Sequence, residues 1–161
     1  MIDIHPVAEK FPLLFGREYE ELVEDIKDRG QLHPVVFHDN RLLDGRNRVR
    51  ACTELGITPT EIEWDAPDGV TAGEWIVSTN LQRRHLTSQQ RAMIAADPDI
   101  LDILEAEARE RQTRGVVEKI PQGSRSRDEA ARTFQTNARY VSDAKKIRKR
   151  KPELVEPVIN G

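Results

Sequence analysis

The residues most able to do chemistry cluster in Leu42-Leu43-Asp44-Gly45-Arg46-Asn47-Arg48-Val49-Arg50-Ala51, where three arginines and an asparagine fall within the five positions after one glycine. The pattern reads as the end of a buried strand, a glycine turn and the first turns of a helix. A helix N-terminus presents unpaired N–H groups and the positive end of the backbone dipole, so it already favours anions. Arginines beside such an end suit a ligand with several negative oxygens, a nucleotide phosphate chain above all. The competing reading is a solvated helix with surface arginines, and these residues alone do not separate the two.

A second concentration is electrostatic. Residues 1–108 hold 11 Lys and Arg against 21 Asp and Glu, whereas residues 109–151 hold 14 against 5. Opposite signs in two parts of one chain suggest two jobs, with the basic part near a polyanion. Within the basic part, two short helices joined by a tight turn at Gln135-Thr136 suggest a DNA-reading helix-turn-helix. Ala131 falls where the helices need a small side chain, and Val141 falls where an apolar contact locks the second helix. The turn position favours glycine because its backbone adopts positive φ; here it is Gln135. The second helix, approached through Thr136, would present Asn137, Arg139, Ser142 and Lys145 along one side. Lys146, Arg148, Lys149, Arg150 and Lys151 would meet phosphates. A plain helical hairpin with a basic surface is the alternative.

These groups must be positioned by elements that the apolar pattern sets. Residues 3–7 read as a short strand closed by Pro6 and Pro12. Tyr19, Leu22, Val23 and Ile26 recur at i, i+3, i+4 and i+7, which predicts an amphipathic helix stopped at Gly30. Residues 34–38 and 41–43 read as strands about an Asp39-Asn40 turn, and 61–64 as a further strand. The helix after Gly45 runs to Leu55 and stops at Gly56. Thr71-Ala72-Gly73-Glu74, Thr87-Ser88-Gln89-Gln90 and Ser126-Arg127-Asp128-Glu129 each fit a capping box, in which the first side chain and the fourth satisfy one another's backbone N–H. Asp97-Pro98 interrupts one helix, and residues 99–114 form the next. Residues 115–125 read as a hinge whose Val116, Val117 and Ile120 dock on the preceding helix. Pro152 ends the last long helix, and another begins within 153–159. The order argues for a small α/β unit, residues 1–86, followed by an all-α unit, residues 87–161.

Bulk properties narrow the class. With 37% apolar and 33% charged residues the chain builds only a limited core. No run approaches the roughly 20 apolar residues of a membrane span, and the N-terminus shows neither a basic segment nor an apolar leader, so a cytoplasmic protein without a membrane is expected. The single cysteine, Cys52, leaves no internal disulfide or multi-cysteine metal site and reads as a small apolar helix residue. His5, His33, His38 and His85 lack metal-ligand spacing and read as structural or surface residues. Trp64 and Trp75 read as packing.

Three motifs in order, followed by the helical pair, resemble the ParB family. Gly30-Gln31-Leu32-His33-Pro34-Val35 is similar to its first motif, a glycine followed by a Pro-Ile/Val strand start. Gly45-Arg46-Asn47-Arg48-Val49-Arg50 is similar to its Gly-Glu-Arg-Arg-x-Arg phosphate motif, and Thr79-Asn80-Leu81-Gln82-Arg83 to its Glu-Asn-x-x-Arg motif. The resemblance implies an α+β ParB/sulfiredoxin-like domain with a small mixed sheet, then an all-α helix-turn-helix domain. It implies CTP and magnesium at the motifs, a specific DNA site, a homodimeric clamp, a partner ATPase of the ParA type, and a role in plasmid or chromosome partition or transcriptional control near the nucleoid or a plasmid. By position, Gly30, Gln31, Gly45, Arg46, Asn47, Arg48, Arg50, Asn80 and Arg83 would form the nucleotide site, with Asn80 near the metal. Arg46 and Asn47 stand where the family has Glu-Arg, and Thr79 stands where a glutamate helps hold magnesium; a hydroxyl is the weaker ligand for a hard cation. A sulfiredoxin-type cysteine would fall at Arg46, so that chemistry is not expected. The enzymatic alternative, beyond a weak CTPase, is a phosphotransferase or nuclease at the same turn. It would need a base and metal carboxylates, and Asp44 is the one acid within the motif.

Overall fold

The computed structural model describes residues 2–83, 86–113 and 127–160. Four strands, β1 (Asp3–Ile4), β2 (Val35–His38), β3 (Arg41–Asp44) and β4 (Glu61–Glu63), form one mixed sheet in the order β1-β3-β2-β4. β2 and β3 are antiparallel, whereas β1 runs parallel to β3 and β4 parallel to β2. Asp39 and Asn40 turn the hairpin with φ of 48° and 62°. Two successive positive φ values match the right-handed twist of the paired strands, and Asn and Asp tolerate them best among residues with side chains.

The helices are α1 (Pro6–Glu9), α2 (Gly16–Arg29), α3 (Arg46–Leu55), α4 (Ala72–Arg83), α5 (Ser88–Ala95), α6 (Pro98–Thr113), α7 (Arg127–Thr133), α8 (Ala138–Arg150) and α9 (Val155–Asn160). A 3-10 turn, Pro152–Leu154, lies before α9. The strand expected over residues 3–7 is shorter. Pro6 occupies the first turn of α1, where its fixed φ and missing N–H suit a helix start, and the His5 Nδ1 accepts the Val7 N–H at 3.3 Å. The boxes at Thr71 and Thr87 form as expected. In the first, the Thr71 N–H donates to Glu74 at 3.1 Å and the Glu74 N–H to Thr71 at 3.2 Å. In the second, the corresponding distances for Thr87 and Gln90 are 2.7 and 3.2 Å. The hinge at 115–125, its docking residues Val116, Val117 and Ile120, and the box at Ser126 lie outside the described residues.

Two apolar clusters hold these elements. Tyr19 and Ile26 of α2 pack with Ala51 and Cys52 of α3. A larger cluster starts at Val7 and Phe11, passes through Leu43, Ile76, Met93 and Ile100, and reaches Phe134 and Val141. It runs without a break past residues 86–87, where the sequence places a domain boundary. Polar links reinforce it. The His5 Nε2 lies 2.9 Å from Glu107 of α6, whose other oxygen accepts the Gly73 N–H at 2.8 Å. With Nδ1 facing the Val7 N–H, Nε2 is the ring nitrogen that donates to Glu107. Among the described residues no helix is long and apolar enough to cross a membrane.

Candidate functional site

Gly45 is the hinge between β3 and α3. Its φ of 106° is left-handed, and a Cβ there would sit 2.6 Å from Val35 Cγ1, which is buried in β2. Both conformation and space therefore require glycine. α3 starts with no side-chain cap, so its first N–H groups face the turn with the positive end of the helix dipole. Gly45 lines a cavity of about 220 Å³ together with Ala8, Leu14, Leu43, Asp44, Arg46, Asn47, Arg48 and Asn80, among others.

The arginines of the motif divide their work. The Arg46 Nη1 donates to the carbonyls of Ala8, Glu9 and Phe11 at 2.8, 3.2 and 3.0 Å, closing the C-terminal end of α1. Burial pulls its guanidinium below the ordinary value, with the charge of Glu9 opposing. The Arg48 Nη2 donates to the Pro34 carbonyl at 3.1 Å and to Asp44 Oδ2 at 2.8 Å. Its Nε is buried without a hydrogen-bond partner among the described residues. Arg50 leaves the cavity: its guanidinium lies 3.7 Å over the Tyr19 ring and donates to the Leu14 carbonyl at 3.4 Å. Asn47 accepts the Leu14 N–H at 3.0 Å, so α3 holds both backbone groups of Leu14.

Of the other sequence-predicted residues, Asn80 joins the cavity wall. It is buried, and its Nδ2 donates to the Ile76 carbonyl at 2.9 Å. Gly30 and Gln31 lie elsewhere. Gly30 ends α2 with φ of 75°, and Gln31 bridges the backbones of His33 and Thr60, donating to their carbonyls at 2.9 Å and accepting the Thr60 N–H at 2.8 Å. Arg83 ends α4, and its side chain lies outside what is described. The sequence reading missed the Asp44–Arg48 ion pair, although its i,i+4 spacing signals it.

This donor set suits an anion. An uncapped helix end and a buried, unpartnered guanidinium N–H both call for an acceptor. It does not suit a bare magnesium ion held by the protein alone. Among the described residues Asp44 is the one carboxylate on the wall, and Arg48 already sits against it, whereas a hard cation wants several oxygens and no adjacent positive charge.

The helical pair is the second candidate site. α7 and α8 meet at a turn in which Gln135 adopts φ of 49°. The Arg91 guanidinium of α5 donates to the Gln135 carbonyl at 3.4 Å, and the Thr136 hydroxyl to the Ser88 carbonyl at 2.7 Å. Asn137 caps α8, accepting the Arg139 N–H at 2.7 Å. Thr136 and Asn137 thus fix where α8 begins. Ala131, Phe134, Val141 and Ala144 are buried between the helices and α5. Arg139, Ser142, Asp143 and Lys146 fall at i, i+3, i+4 and i+7 on the side of α8 away from Val141 and Ala144, where with Ala138 they line an open groove. Lys145 and Lys149 lie one turn apart on a flank facing Asp102 and Glu105 of α6 across a second groove.

Arg148 is a correction. Read from sequence as a phosphate contact, it points inward, donating from Nε and Nη2 to the Met93 carbonyl at 3.1 and 2.9 Å and pairing with Asp97 at 3.1 Å. Its spacing from Val141 and Ala144, seven and four residues on, already places it on the buried side.

No family model and no curated protein matches this chain. Among solved structures, a Pnob8-like ParB-N domain in its C2221 form aligns with 98% of this chain and 69% of its own, at a TM-score of 0.56 and 20% identity. A pNOB8-like ParB N-domain aligns with 94% of this chain and 62% of its own, at a TM-score of 0.49 and 21% identity. At this identity the first likeness establishes a shared fold: this chain has the fold of a ParB N-domain.

Proposed function

We propose that this protein binds duplex DNA through α8 and responds to an anionic nucleotide at the Gly45 turn, as a ParB-like factor in plasmid or chromosome partition or in transcriptional control. The observation that carries the reading is the row Arg139, Ser142, Lys146 on the exposed side of a helix whose opposite side is buried against α5 and α7. A helix so presented suits a major groove, which admits one α-helix. Arg139, Ser142 and Lys146 would face bases, and Lys145, Lys149 and Arg150 would take phosphates. Thr136 and Asn137, spent on the turn and the cap, position the helix.

At the Gly45 turn, the phosphate end of the nucleotide would meet the N–H groups opening α3 and the Arg48 Nε. CTP is the first candidate, on the strength of the motif resemblance. Magnesium would arrive with the phosphates and be held by their oxygens, supplying charge neutralisation that this wall does not supply alone. A cavity of about 220 Å³ is smaller than the roughly 300–1,000 Å³ of sites that enclose a whole small molecule, so the phosphates enter and the base stays outside. A homodimer and a ParA-type ATPase partner extend the same reading.

Calorimetric titration of the full chain with CTP and the other nucleoside triphosphates tests the turn. Binding lost in Arg48→Ala, with DNA affinity retained and the far-ultraviolet spectrum unchanged, supports the site. Unchanged CTP affinity in that variant removes it.

A further inference from the structure

Resting on the DNA-binding reading, the geometry points to Asp143 as a base-reading residue: we propose that its carboxylate accepts a hydrogen bond from the exocyclic amine of a cytosine in the bound site. Asp143 occupies the middle of the exposed row, one turn after Arg139 and three residues before Lys146, and it lines the groove that they form. An acid there is unexpected on a surface that only grips phosphates, because it would repel them. A carboxylate is tolerated where the facing group is a donor, and in the major groove those donors are the amines of cytosine and adenine. Asp and Glu pair with the cytosine amine, whereas adenine, with a donor beside an acceptor, suits the amide of Asn or Gln.

The local electrostatics keep Asp143 in the form this role needs. Lys146 Nζ donates to its Oδ1 at 2.9 Å. That bond, the Lys146 charge and, more weakly, the Arg139 charge hold its carboxyl below the ordinary carboxylate range. Ionised, it is an acceptor only, with room for partners beyond Lys146. Arg139, the residue type that pairs with guanine, lies one helical turn earlier on the same side. The recognised site therefore contains a guanine for Arg139 close to a cytosine for Asp143.

The test is selection of bound duplexes from a random library by the full chain and by Asp143→Ala and Asp143→Asn, with circular dichroism confirming that both variants fold. The expected result is a wild-type motif with a cytosine at one position. Preference there is relaxed about tenfold in Asp143→Ala and moved towards adenine in Asp143→Asn. If all three proteins select the same motif, the inference fails while the DNA-binding reading stands. If the wild-type protein binds duplexes without any preference, the inference also fails. If it binds none, both readings fall.

Discussion

The Arg148 guanidinium sits 3.1 Å from the Asp97 carboxylate, which is only 4% exposed and also lies 3.3 Å from Lys10 Nζ. Asp97 Oδ1 accepts the Asp99 N–H at 3.0 Å, capping the start of α6. One carboxylate thus joins the segment after α1, the α5–α6 corner and α8. Removing one partner of a buried pair strands the other, at a cost of about 3–5 kcal/mol. Asp97→Ala is expected to lose about 3 kcal/mol in urea unfolding. Arg148→Lys does not restore the pair, because an ammonium cannot span Met93 and Asp97 as the planar guanidinium does. Wild-type stability in Asp97→Ala would remove this corner from the account.

Glu107 sets part of the acid limit of stability. Burial pushes its carboxyl up, but hydrogen bonds from His5, Gly73 and Thr71 and the charge of His5 hold it below the ordinary 4.5. A carboxylate depressed in the folded state contributes fully above its unfolded value and loses that contribution as pH falls through its folded value. Thermal unfolding of Glu107→Gln should therefore depend less on pH than wild type in the window below 4.5. Parallel curves for the two proteins below that pH would contradict this.

Gly45→Ala adds a Cβ 2.6 Å from Val35 Cγ1 on a backbone with φ of 106°. The left-handed conformation costs about 1–2 kcal/mol, and overpacking a core about 1–3 kcal/mol more. A loss of about 2–5 kcal/mol by chemical denaturation is expected, and a loss under about 1 kcal/mol would show that neither constraint holds.

Gln135 pays the same conformational penalty at φ of 49°, without a steric one, because its side chain is exposed. Gln135→Gly should raise stability by about 0.5–1 kcal/mol, the left-handed penalty less the added chain entropy of glycine. A lower melting temperature would contradict the turn geometry.

What the sequence discloses follows from how local each cause is. The periodicity of α2, its stop at Gly30, the Asp39-Asn40 hairpin, the Gly45 turn and the boxes at Thr71 and Thr87 each depend on residues a few positions apart, and each forms. α1 was hidden because four residues carry no period, and its start depends on the His5 ring as a cap. The division of labour among the arginines was hidden for a different reason. Arg46 meets Ala8, 38 residues away, and Arg148 meets Met93, 55 residues away, so the motif shows their charge but not the carbonyls that claim it. Arg139 and Ser142 were legible because helical spacing alone puts them opposite Val141 and Ala144; the structure exchanges the two lysines, placing Lys146 in their row and Lys145 on the flank with Lys149.

The account depends most on the exposed cationic side of α8 binding a polyanion. Fluorescence anisotropy of a labelled duplex, titrated with the full chain between 50 and 200 mM salt, measures this directly, at concentrations chosen for counterion release. The predicted result is a logarithm of affinity that falls linearly with log salt in the wild-type protein, with a slope smaller by about 1 in Lys149→Ala. An affinity insensitive to salt, or a Lys149→Ala slope equal to that of wild type, would contradict it.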